Sequence, residues 1–198
     1  MRYAIVPVGE MQANAYIVYD DERDDALVID PGAEPDAIRL ALDGRRLAGL
    51  LLTHGHVDHC GAVGALRGEE APVFIHAGDA AMLTNPRLSL AVMVGGKESQ
   101  GEPDFCLEEG GMELAGLTFS VLHTPGHTPG SVCFLCGDTL FSGDTLFLSG
   151  IGRTDFPGGD AKAMAASLSR LAALDEAVRV CPGHGGSTSI GAERRHLL

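Results

Sequence analysis

The chain has 198 residues, 45% of them apolar and none of them Trp, which suits one aliphatic core of Leu, Val, Ile and Ala. A formal net charge of −13 argues against nucleic acid as a partner and gives no drive toward anionic membranes. An odd number of cysteines and no leader-like or membrane-spanning apolar run predict a reduced, cytoplasmic setting.

Strand signals open the chain at YAIVPV, NAYIVYD and DALVIDPG, and the acidic residues from Asp20 to Asp25 read as a solvated hairpin turn. EPDAIRLALDG predicts a helix, with Pro35 near its start and Gly44 at its end. AGLLLT is a continuous apolar run, read as a buried strand, and it ends at HGHVDH. GAVGALRGEE predicts a helix, APVFIHAG a strand and AGDAAMLTN a short helix. Residues 84–112 are irregular, with an apolar LSLAVMV and a polar KESQGEPD, and form a candidate lid. LTFSVLHTPG, GSVCFLCGD and TLFSGD are strands, each ending near a His or Asp. Cys133 and Cys136 fall on opposite faces of one of them, as buried strand cysteines. GDAKAMAASLSRLAALD is an amphipathic helix with Met164, Leu168, Leu171 and Leu174 on one face. AVRVCPGHGG is a last strand and IGAERRHLL a short helix. Two such halves suggest two mixed sheets packed face to face with helices outside, in one domain over residues 1–198.

The chemistry concentrates in Thr53-His54-Gly55-His56-Val57-Asp58-His59. Four metal-capable side chains within six residues, behind a buried strand, suit zinc or a similar divalent ion. His127 after FSVL, Asp144 after TLF and His184 after AVRV each follow an apolar strand and lie beside Gly. His123 reads as an orienting group or a strand cap, and His76 and His196 as ordinary surface or strand-end residues.

These motifs, with S-G-D-T-L-F, G-R-T-D-F-P-G-G and P-G-H-G, resemble the metallo-β-lactamase superfamily, and within it the glyoxalase II-like hydroxyacylglutathione hydrolases in a short form. The likeness runs to about Ile190. It implies a four-layer αββα sandwich and a hydrolase acting on a small acyl thioester such as S-2-hydroxyacylglutathione. It also implies two divalent metal ions, zinc first, with iron or manganese as alternatives. By the same resemblance His54, His56 and His127 hold the first metal, and Asp58, His59 and His184 the second. Asp144 bridges both, and Asp58 is also the catalytic group that orients the attacking water. Arg153 supplies a cationic contact to the thiol half, its other reading being a structural pair with Asp155 or a loop carbonyl. The C-terminal helical domain that helps related enzymes grip glutathione has no counterpart in these residues, so a relaxed thiol preference is expected. The rivals are a persulfide dioxygenase with one iron on His54, His127 and Asp144, and a non-catalytic metal-binding protein. The ending C-P-G-H-G-G-S-T-S-I-G and the P-G-G after G-R-T-D-F favour the hydrolase.

Overall fold

The computed structural model describes residues 1–67, 71–96 and 99–197, apart from the side chains of 196 and 197. The end of the helix expected at GAVGALRGEE, part of KESQGEPD and the side chain of His196 therefore lie outside the described residues.

Six strands form the first sheet: β1 (Arg2–Val8), β2 (Ala13–Tyr19), β3 (Asp25–Ile29), β4 (Arg46–Leu51), β5 (Val73–His76) and β6 (Phe105–Leu107), in sequence order. The β1–β2–β3 pairs are antiparallel, and β3 to β6 run parallel. The second sheet contains β7 (Gly110–Leu114), β8 (Leu117–His123), β9 (Val132–Cys136), β10 (Thr139–Gly143), β13 (Arg179–Pro182) and β14 (Thr188–Ser189). Its order is β14-β13-β10-β9-β8-β7, with β10 and β13 parallel and the other pairs antiparallel. A small hairpin, β11 (Leu146–Phe147) and β12 (Gly150–Ile151), follows β10.

The two-residue period of the strands sorts the apolar residues into layers. On β2 and β3, Ile17, Ala26 and Val28 face outward toward α1 (Pro35–Ala41), while Tyr16, Val18, Leu27 and Ile29 face the second sheet. Cys133 and Cys136 do fall on opposite faces of β9, one in the outer cluster and one between the sheets. The space between the sheets departs from the aliphatic expectation. Tyr16, Phe119, Phe134 and Phe141 are buried there, and Tyr16 meets Phe141 edge-on at 5.0 Å. Few aromatics suffice because the inner faces of both sheets share them.

The amphipathic helix spans Ala161–Leu171, and it covers the outer face of the second sheet with Met164, Leu168 and Leu171. Asp160 caps it by accepting from the backbone N–H groups of Lys162 and Ala163. The tail forms a last helix, Ile190–Leu197. The irregular segment is partly regular: a 3-10 turn at Ala91–Val94, then β6 and the start of β7. No helix among the described residues is long and apolar enough to cross a membrane.

β8, β10 and β13 point the same way, and their carboxyl ends meet the carboxyl end of β4 at one rim. Val132 N–H donates to the Thr53 carbonyl (2.8 Å), which joins the two sheets there.

Candidate metal centre

The loop after β4 is built from within. Asp30, at the end of β3, is buried and accepts from Thr53 N–H (2.8 Å) and the Thr53 hydroxyl (2.6 Å). Gly55 passes so close to Met82 that an added Cβ would sit 2.5 Å from its Cβ. His56 then starts a one-turn helix, α2 (Val57–Cys60), which carries Asp58 and His59.

Asp79, just after β5, is also fully buried, and it joins two loops. Its carboxylate accepts from Gly55 N–H (3.0 Å), the Thr128 hydroxyl (2.6 Å) and Gly130 N–H (2.7 Å). Gly55 separates His54 from His56, and Thr128 follows His127. The His184 loop is held from the first sheet: Asn14 donates to the Pro182 and Gly185 carbonyls, both at 3.0 Å, and the Tyr16 hydroxyl donates to the Pro182 carbonyl at 2.7 Å.

All seven side chains singled out as ligands converge. Ring nitrogens of His54, His56 and His127 form one group and Asp58, His59 and His184 another, the donor atoms of each within 4.8 Å of one another. His56 Nδ1 lies 2.9 Å from His127 Nε2. His184 Nε2 is 3.2 Å from the Asp58 carboxylate and 3.3 Å from His59 Nε2. Asp144 lies between the groups, 3.3 Å from His59 Nε2, 3.5 Å from His127 Nε2 and 3.7 Å from His184 Nε2. Gly183 leaves room for this crowding, since a Cβ there would fall 2.3 Å from Asp144 Oδ1.

Neighbouring acceptors fix several tautomers. His127 Nδ1 donates to the Arg153 carbonyl (2.7 Å) and His184 Nδ1 to the Met11 carbonyl (3.1 Å), so both point Nε2 inward. His59 Nδ1 faces the Asp30 carboxylate at 3.0 Å. Burial, with neighbouring imidazoles, holds His54 well below the ordinary histidine range and lowers His56 to about 4. The second group is polarised the other way. Burial opposes it, but Asp144 and Asp58 push His59 well above its usual range, and Asp58, opposed by burial, is held down by His59 and His184. His184 is raised, first by its hydrogen bond to Asp58.

Among the described residues, three buried side-chain polar atoms, His54 Nε2, His56 Nε2 and Asp144 Oδ1, have no hydrogen-bond partner. Such atoms are costly to bury unless something else satisfies them. Orphaned nitrogen and oxygen lone pairs aimed into one nest of imidazoles and carboxylates fit divalent cations.

A cavity of about 390 Å³ opens over these residues, walled by Met11, Val57, Leu90, Met93 and Phe156, with Arg153 at its edge. The Arg153 guanidinium is engaged twice by Asp155, at 2.8 Å each, and its centre lies 4.0 Å over the Phe156 ring. His123 stands apart from the seven. It stacks on His76 at 4.1 Å and donates to the Pro129 carbonyl, so it braces the loop that carries His127. Sequence reading missed Asp30, Asp79 and Asn14. Asp30 did carry a signal, an acid at the end of an apolar strand, as at Asp144; Asp79 and Asn14 had none.

Comparison with known proteins gives a consistent picture. Residues 8–184 match the metallo-beta-lactamase superfamily. The crystal structure of BLEG-1 B3 metallo-beta-lactamase superposes with a TM-score of 0.92 at 38% identity, over 98% of this chain and 97% of that one. TTHA1623, solved in a di-iron-bound form, superposes at 0.84 with 42% identity, over 97% of each chain. The hydroxyacylglutathione hydrolase GloC of Haemophilus influenzae is 35% identical, over 98% of this chain and 96% of its own length.

Proposed function

We propose that this chain, which belongs to the metallo-β-lactamase superfamily, hydrolyses a small acyl thioester with water activated at a dinuclear metal centre. One observation carries the reading: two complete groups of three donors share a single carboxylate, Asp144, placed between them. His54, His56 and His127 would hold one ion, Asp58, His59 and His184 the other, and Asp144 would touch both. Mixed imidazole and carboxylate donors suit zinc, and also iron or manganese; the di-iron form of TTHA1623 makes iron a real alternative. Such a pair of ions lowers the pKa of water and stabilises a developing oxyanion.

The remaining work falls to side chains. Asp58, held ionised by His59 and His184, accepts a hydrogen bond from the attacking water and fixes its direction. The Arg153 and Met11 carbonyls keep His127 and His184 in the tautomer whose Nε2 faces the centre. Met11, Val57 and Phe156 exclude bulk water around the reacting carbonyl. Arg153 is the cation nearest in role to a thiol-half contact, and a substrate carboxylate must compete with Asp155 for it. GloC supplies the candidate substrate, an S-2-hydroxyacylglutathione.

The test is metal content of the purified protein, combined with a panel of thioesters, lactones and β-lactams. About two ions per chain with thioester turnover is expected. A single iron with O₂ consumption on a persulfide would replace this reading with the dioxygenase, in which the second group of donors has no task.

A further inference from the structure

Beside the cavity over the centre lies a larger one, of about 610 Å³. The two share Met11, Val57, Asp58, Met93 and Val94, so the second chamber begins at the group assigned to orient water. Its walls are apolar, among them Val8, Pro35, Ala62 and Met93, and its other charged lining residues are Glu10 and Glu34. Among the described residues, no Lys, Arg or His lines it. Arg39, which donates to the Ala65 carbonyl at its margin, is paired with Asp36 at 2.9 Å.

Glu34 is held in place by its backbone and by a contact. It has φ 52°, a left-handed conformation uncommon for a residue with a side chain, directly before Pro35. Its carboxylate accepts from Gly9 N–H at 3.3 Å. That contact sets the Glu34 carboxylate beside Gly9, which also lines the chamber.

We propose that the second chamber seats one half of the substrate and selects an aliphatic group whose outer end is neutral or cationic, with Glu10 and Glu34 as the residues that set this preference. The proposal rests on the thioester-hydrolase reading and narrows its substrate. The apolar walls reward burial of methylene groups. The two carboxylates attract an ammonium and repel a carboxylate, and no cation among the described lining residues offsets them. Acylglutathione, with two carboxylates and one ammonium, falls on the disfavoured side wherever a carboxylate must enter this chamber.

The experiment uses the metal-loaded protein and two series of thioesters. In one the charge sits on the acyl end: aminohexanoyl, hexanoyl and adipoyl thioesters of one neutral thiol. In the other it sits on the thiol: acyl esters of thiocholine, ethanethiol and mercaptopropionate. In one series kcat/KM should fall from cationic to anionic by about tenfold at low salt, and less at high salt. The E10Q/E34Q double variant should collapse that spread, and the responding series names the half that occupies the chamber. Ratios within one preparation cancel any loss of folded protein. Hexylammonium gives a readout independent of turnover: it should bind the wild type, and about tenfold more weakly to E10Q/E34Q, by calorimetry. Thioester turnover with both spreads unchanged in E10Q/E34Q overturns the chamber assignment and leaves the hydrolase reading intact. No turnover of any thioester overturns the hydrolase reading, and hexylammonium that fails to bind the wild type overturns the chamber independently.

Discussion

Asp79 touches none of the seven proposed ligands, yet Asp79→Asn should weaken metal binding. The carboxylate accepts three buried hydrogen bonds, from Gly55 N–H, the Thr128 hydroxyl and Gly130 N–H. An amide keeps one accepting oxygen and turns an NH₂ toward the remaining donors. The Thr128 hydroxyl can turn away, since Ser131 lies 2.7 Å from it, but a backbone N–H cannot. One stranded buried N–H costs about 1–3 kcal/mol. Burial also raises the pKa of Asp79 above the usual carboxylate value, so removing its charge returns part of that cost. A net loss of about 2 kcal/mol is expected in denaturant unfolding of the metal-free protein. Because the same carboxylate anchors the backbone between His54 and His56 and the residue after His127, the first metal should bind roughly 10–100-fold more weakly, the usual effect of removing a group that orients ligands. The assay is competition with a chelator, reading each ion's affinity separately. Equal loss at both sites would mean general loosening, and unchanged affinity with unchanged stability would refute the reasoning.

Asp144→Ala should lose most activity and at least one metal, because its carboxylate stands 3.3 Å from His59 and 3.5 Å from His127, one imidazole of each group; both metals retained with full turnover would sink the dinuclear centre. On acidification, metal content should fall from two ions to one before it falls to none. Protons compete first at His59 and His184, whose pKa is raised by Asp144 and Asp58, while burial keeps His54 and His56 bare to lower pH. Metal analysis after equilibration at falling pH checks the order, and simultaneous loss of both ions contradicts it. Asp155→Asn should release the Arg153 fork and lower KM for a carboxylate-bearing thioester about two- to threefold, the scale of an exposed ion pair. An unchanged KM removes Arg153 from substrate binding.

The seven converging side chains, the proposed ligands, were legible in the sequence because each stands where an apolar strand breaks off beside glycine, and four of them lie within six residues. Their supports were not, because each acts across a long stretch of chain. Asp79 reaches Gly130 and Asn14 reaches Pro182, and such partners carry no local signature. The two-sheet layout followed from the alternation of strands and helices. The irregular segment concealed β6, whose three residues are too few to show a period and are defined only by pairing with β5. The aromatic layer between the sheets was hidden for a related reason: composition counts rings but not the face on which they gather.

Under the proposed assignment each ion draws two ligands from the first half of the chain and two from the second, one of its own and the shared Asp144. Neither half owns a site, so the ions work as a clasp across the open edge of the sandwich, where Val132 and Thr53 already touch. Whatever binds only the closed arrangement adds to its stability by mass action. The lifetime of this protein in a cell is then tied to metal supply as well as to its own core, and a starved chain unfastens first at the edge where its chemistry resides.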